Sequence, residues 1–103
     1  MVRVIDETWR EGDKEGERYL GIVRGVLEVL GRNYEVSKEI PSIVIRDRTK
    51  TAEDNVAMRF CYKSLEITVH GAKYLDDAFK VAEACTIAAG KGTKYTLRKQ
   101  FQQ

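Results

Sequence analysis

Between Val56 and His70 the chain alternates apolar and polar residues twice, and the two runs constrain each other. Val56, Met58, Phe60 and Tyr62 alternate with Ala57, Arg59, Cys61 and Lys63; after Lys63-Ser64, Leu65, Ile67 and Val69 alternate with Glu66, Thr68 and His70. A period of two marks a strand with one buried face. If the chain reverses at Lys63-Ser64, Tyr62 faces Leu65, Phe60 faces Ile67 and Met58 faces Val69, while Arg59 meets Thr68 and Cys61 meets Glu66. Every apolar residue then lies on one face. A slip of one residue would scatter them over both, so the register is strongly specified. The turn lacks an Asn-Gly-type sequence, which leaves a longer or bulged connection open.

The apolar face of such a hairpin needs a cover, and two segments have the pattern to supply it. Tyr19, Ile22, Val23, Val26, Leu27 and Leu30 are spaced three and four apart, one stripe of a 3.6-residue helix. Gly12-Asp13 reads as its N-cap, Glu15 and Glu17 as acids at the positive dipole end, and Gly31 as the residue that ends it. The expected helix covers 13–30. Upstream, Val2, Val4 and Ile5 read as a short β-prone start, and Asp6 to Glu17 as a loop running into the first turn. Gly21 and Gly25 fall off the stripe, which suggests close approach by a sheet or a second copy, or simple tolerance of two glycines. Leu75, Ala78, Phe79, Ala82, Thr86 and Ala89 form the second stripe, widened by Val81, Cys85 and Ala88, and give a helix over 73–89 with Asp76 and Asp77 as first-turn acids.

Further β structure is expected over Tyr34 to Ile45, where Pro41 marks a turn or an edge bulge, and over Thr93 to Phe101, where Tyr95, Leu97 and Phe101 alternate with polar residues. The polar stretch 46–55 reads as an exposed loop. At 103 residues the chain is one domain. These elements predict an α+β fold: a two-layer sandwich with a mainly antiparallel sheet of about five strands and both helices on one face. The other sheet face would stay open, carrying Arg59, Thr68 and His70, with Lys94, Thr96 and Arg98 if the last strand joins in matching orientation.

Several functions lack their residues. Two cysteines, Cys61 and Cys85, and one histidine, His70, are too few for the usual four-ligand zinc site, so no metal is expected. No Walker loop, Gly-x-Ser-x-Gly, Gly-x-Gly-x-x-Gly or His-Glu-x-x-His occurs, and no nucleophile stands with a base and its orienting group. The reading therefore leans away from an enzyme, and no cofactor is expected. The longest uncharged run, Ala84 to Gly90, is far too short to cross a bilayer, and the N-terminus has no apolar signal region, so a cytoplasmic protein without membrane attachment is expected.

A net charge of +2 conceals an uneven distribution. Residues 1–31 carry seven acids and five bases, whereas residues 90–103 carry four bases, Lys91, Lys94, Arg98 and Lys99, and no acid. Arg46, Arg48 and Lys50 form a second basic cluster. Bases beside aromatics are what phosphate neutralisation and base stacking require. The expected function is low-specificity binding of nucleic acid, DNA or RNA, by a non-enzymatic domain. Arg46, Arg48, Lys50, Lys94, Arg98 and Lys99 would meet phosphates, with Arg59 and Tyr95 contributing if they share the open face. The alternative is a protein-interaction or homo-oligomeric assembly module that uses that face, an edge strand or the Gly21/Gly25 surface.

Two partial likenesses bear on this. Ile67 to Glu83 resembles the strand, glycine and helix of Alba-type nucleic-acid-binding proteins, but the β structure before it does not follow that family's order. The helix, three strands, helix core resembles double-stranded RNA-binding domains, yet Asp76-Asp77-Ala78-Phe79-Lys80 stands where a Lys-Lys-x-Ala-Lys start would be. Both are fold-level analogies and assign no family.

Overall fold

A computed structural model of the chain describes residues 2–51, 54–90 and 92–101, and for residues 2–13 the backbone alone. In chain order these form helix α1 (Val2–Leu30), strands β1 (Tyr34–Glu39), β2 (Ser42–Asp47), β3 (Val56–Cys61) and β4 (Glu66–Val69), a 3-10 turn (Ala72–Tyr74), helix α2 (Leu75–Ala89) and strand β5 (Thr96–Lys99). The five strands make one sheet in sequence order. Reversals at alternate ends carry β1 to β4 antiparallel, whereas α2 returns the chain so that β5 runs parallel to β4. The helices pack on each other, α1 over β1 and β2 and α2 over β4. The result is a two-layer α+β sandwich. No helix of the described residues is long and apolar enough to cross a membrane.

The predicted hairpin register is the observed one. Met58 pairs with Val69, Arg59 with Thr68, Phe60 with Ile67 and Cys61 with Glu66. The reversal itself is longer than two residues: Tyr62–Leu65 form the turn, with Leu65 in the left-handed region at φ 54°. Leu65 still packs against the core, which offsets the strain of that conformation. Pro41 lies in the β1–β2 turn, where Ile40 and Pro41, joined by a cis peptide bond, link the paired residues Glu39 and Ser42. The ladder slips between Ile45 and Arg46, a bulge that makes Ala57 the extra residue of β3.

Ile43, Ile45, Met58, Phe60, Ile67 and Val69 are fully buried under the helices. From α2, Ala78, Val81, Ala82 and Cys85 meet them, all with no exposed surface. These small side chains let the helix lie close to the sheet. Burial pushes the Cys85 thiol up to about 12. Cys61 lies in β3 and Cys85 in α2, and both are free thiols.

Helix α1 corrects the sequence reading at its N-terminal end. The β-prone start and the loop expected over 2–12 are helical, and the Gly12-Asp13 cap is passed without a break. The spacing explains why: Ile5, Trp9, Gly12 and Gly16 continue the three-and-four interval of the stripe through Tyr19 and Val23, and no proline interrupts it. At 1.5 Å per residue the helix is about 43 Å long, matching the 44 Å long axis of the molecule. Glu15 and Glu17 no longer sit at a helix start. They pair instead with Lys63 (2.8 Å) and Lys38 (2.6 Å).

The glycine that matters for close approach is Gly16. A Cβ there would lie 2.7 Å from Tyr62 Oη and 2.8 Å from Lys38 Cδ, whereas Gly21 and Gly25 have nothing within 4 Å. Tyr62 cannot easily yield, because its ring stacks on Tyr19 at 5.8 Å and is 2% exposed. Gly21→Ala and Gly25→Ala should each raise the unfolding free energy by about 0.5–1 kcal/mol through helix propensity. Gly16→Ala should lower it by about 1–2 kcal/mol, overpacking outweighing propensity. Urea denaturation of the three variants checks the contrast.

Candidate functional site

Among the described residues, no element covers the face turned away from the helices. Ser37, Val44, Arg59, Thr68 and Arg98 stand in one row across all five strands. Val44 is fully buried although it lies outside the core cluster, since the register sets it among Arg46 and Arg59, whose stems cover apolar surface while their heads stay in water. Two of the arginines on this face are already engaged. Arg46 pairs with Glu39 at 3.0 Å and donates to Ser37 Oγ at 3.1 Å; Arg98 Nε meets Glu66 Oε2 at 2.5 Å. The hydrogen bond from Arg46 holds the Glu39 carboxyl below its ordinary range.

Arg59 differs: it is exposed and has no carboxylate within ion-pair distance among the described residues. With Thr68, His70 and Gln100 it lines a shallow concavity of about 320 Å³ that contains no acid. Burial holds the His70 imidazole below its ordinary 6.5, the positive charges of Arg59 and Lys50 push the same way, and Asp54 opposes them. The imidazole thus has charges of both signs around it, Asp54 with Arg59 and Lys50.

The expected binding residues divide accordingly. Arg46, Arg59 and Arg98 share the open face, and the charge of Lys50 reaches it through His70. Arg48 turns to a cleft with Arg24 and Arg32 of the α1 side. Lys94 is exposed in the segment before β5. Tyr95 packs on the core instead of joining the open face, and Lys99, level with Val69, also falls on the helix side. Lys91 lies outside the described residues. The sequence reading had placed Thr68 and His70 on this face by alternation, but Gln100, two residues beyond Arg98, was assigned no role. Arg24 and Arg32 were missed because they stand far from the 46–50 cluster in sequence.

A second polar group needs a different explanation. Asp47, 5% exposed at the end of β2, accepts from Thr49 N (2.9 Å), from Thr49 Oγ1 and Tyr74 Oη (both 2.5 Å), and lies 3.5 Å from Lys73 Nζ. Asp77, 3% exposed in the first turn of α2, accepts from Tyr34 Oη (2.8 Å) and Arg32 Nε (3.1 Å). The hydrogen bonds from Thr49 and Tyr74 hold the Asp47 carboxyl far below the usual carboxylate range. Burial, then the bond to a carboxylate, raises both the Tyr34 and Tyr74 phenols. An acid this stabilised is a poor base, and among the described residues every buried polar side-chain atom has a partner. The cluster is a lock between the sheet and the start of α2. Asp76 and Asp77 are first-turn acids as read from the sequence, but Asp77 also turns inward to close this lock.

The chain matches no known family model, no curated protein and no solved structure.

The lock sets an acid limit. Because the folded state depresses the Asp47 carboxyl, its contribution is complete above the ordinary value of 3.8 and is lost as pH falls below it. Wild-type stability should fall steeply below pH 3.8, whereas Asp47→Asn should be less stable at pH 7 with a flatter acid limb. Tyr74→Phe should cost about 1–3 kcal/mol at pH 7. Denaturation midpoints measured from pH 7 to strongly acidic solution check these outcomes.

Proposed function

We propose that this domain binds nucleic acid through phosphate contacts on its open sheet face, with little sequence specificity. The observation that carries the reading is the concavity of Arg59, Thr68, His70 and Gln100, lined by no acid, with the charges of Lys50 and Asp54 beside it. Arginine, lysine, threonine and glutamine side chains supply phosphate contacts that position a nucleic acid without reading bases. Arg46 and Arg98 flank the concavity, and their carboxylate partners Glu39 and Glu66 moderate the field. Few phosphates are neutralised in such an arrangement, so the affinity is modest and its salt slope is shallow, about one per phosphate contacted.

Fluorescence anisotropy with labelled single- and double-stranded oligonucleotides tests this. Binding should appear at low salt, and Arg59→Ala should reduce the slope of log K against log salt by about 1. Glu66→Gln, which frees Arg98, should tighten binding. A bound phosphate favours the imidazolium of His70, so affinity should rise as the solution is made more acidic than neutral, and His70→Ala should remove that rise. No binding at the lowest salt would end the proposal.

A second reading, assembly of like copies through α1, draws on the exposed Gly21 and Gly25 and on Val29, which is 87% exposed. Sedimentation should then show a dimer that Val29→Lys converts to a monomer. A strict monomer at high concentration removes this reading.

A further inference from the structure

We infer that the cleft between the C-terminal half of α1 and edge strand β1 binds a phosphate-bearing small molecule, at a site separate from the open face. The cleft holds about 440 Å³, within the range of small-molecule sites. Three guanidiniums from three segments line it: Arg24 from α1, Arg32 from the α1–β1 connection and Arg48 from the residues after β2. Contacts hold two of the guanidiniums and the backbone of the third residue. Arg24 Nη2 donates to the Val36 carbonyl at 3.4 Å, Arg32 Nε donates to Asp77 at 3.1 Å, and the Arg48 backbone N–H donates to the Asn33 carbonyl at 3.0 Å.

Donors remain to be used. A guanidinium has five N–H groups, and the one bond from Arg32 Nε to Asp77 leaves both of its terminal nitrogens for other acceptors. Arg24 and Arg48 have no carboxylate within ion-pair distance among the described residues, although Glu28 and Glu35 line the same cleft. Glu28 stands one helical turn after Arg24 in α1 and still closes no ion pair with it or with Arg32 among the described residues. The cleft thus has three cations, Arg32 paired with Asp77, and two acids that close no ion pair with any of them among the described residues.

Capping of α1 does not explain the arrangement. The helix ends at Leu30 with Gly31 at φ 68°, and the carbonyl of Glu28 is satisfied by the Gly31 N–H. None of the three arginines donates to a carbonyl of the helix's last turn; their acceptors are Val36 and Asp77. Three convergent guanidiniums suit an oxyanion with several acceptor oxygens, and phosphate takes bidentate pairs from arginine. The Tyr34 ring, half-buried and fixed through its hydroxyl to Asp77, gives a wall for an organic group beside the phosphate.

NMR titration of the full chain, at constant ionic strength, with inorganic phosphate, pyrophosphate and glycerol phosphate tests the inference. Saturable shifts are expected at the Arg24 and Arg48 side chains and the Asn33 and Tyr34 amides, and the tightest of the three probes identifies the form of ligand the cleft takes. Arg24→Gln and Arg48→Gln, both at exposed positions, should each weaken binding about tenfold. Glu28→Gln should tighten it several-fold by removing a like charge from the ligand. Arg59→Ala should leave it unchanged, which separates this site from the open face. Shifts that do not saturate, that chloride reproduces at the same ionic strength, or that occur only at Arg59 and His70 would overturn the inference.

Discussion

One apolar sheet face must be kept from water, and two helices are the chain's means of covering it. The face is continuous from β2 to β4, where Ile43, Ile45, Met58, Phe60, Ile67 and Val69 have no exposed surface. The coverings differ in kind. Helix α2 brings alanines, a valine and a cysteine and lies close, whereas α1 brings Tyr19, Leu20, Val23 and Leu27 and fills space with larger groups. Where α1 must also come close, at the β3–β4 turn, it has Gly16 over Tyr62. Apart from the buried Asp47 and Asp77, charged groups are displaced to the rims or the opposite face, and both candidate sites follow from that division.

The alternation of Met58, Phe60, Ile67 and Val69 made the hairpin legible, because only one register keeps all four on one face. The α2 stripe and the polar identity of the open face were legible for the same reason: each is a period in the sequence. What escaped was nonperiodic. The N-terminal half of α1 was obscured because Gly12-Asp13 has the chemistry of a helix start, and a start signal can be overridden when the stripe continues beyond it. The Asp47 and Asp77 lock joins residues 27 to 45 positions apart, and no local pattern announces such pairs. The split of Arg46, Arg48 and Lys50 among the open face and the cleft had a similar cause. Residues two apart would share a face if the strand continued, but β2 ends at Asp47 and the chain turns there, with the Lys50 N–H donating to the Asp47 carbonyl, so one basic run in sequence serves two surfaces in space.

The sheet edges carry charge where strand pairing would begin. Strand β5 is four residues long and presents Arg98 and Lys99, while on β1 the Val36 carbonyl is taken by Arg24 and Lys38 is paired with Glu17. Short, charged edges discourage addition of another strand. This turns attention from the edges to broad surfaces, the open face and the outer side of α1, as places where a partner would sit.

The small net charge acquires a structural meaning once the cations are located. A charge of +2 is compatible with phosphate recognition only if acids and bases are sorted in space. Two acids of the open face are committed, Glu39 to Arg46 and Glu66 to Arg98, whereas Glu35, in register with Arg46, closes no ion pair among the described residues. The buried acids are committed as well, Asp47 to Thr49 and Tyr74, and Asp77 to Tyr34 and Arg32. Each commitment removes a negative charge from competition with a ligand. Arg59, Arg24 and Arg48 are left without carboxylate partners among the described residues, one on the open face and two in the cleft. Local sorting, and not overall basicity, is therefore what gives this nearly neutral domain two surfaces able to meet an anion.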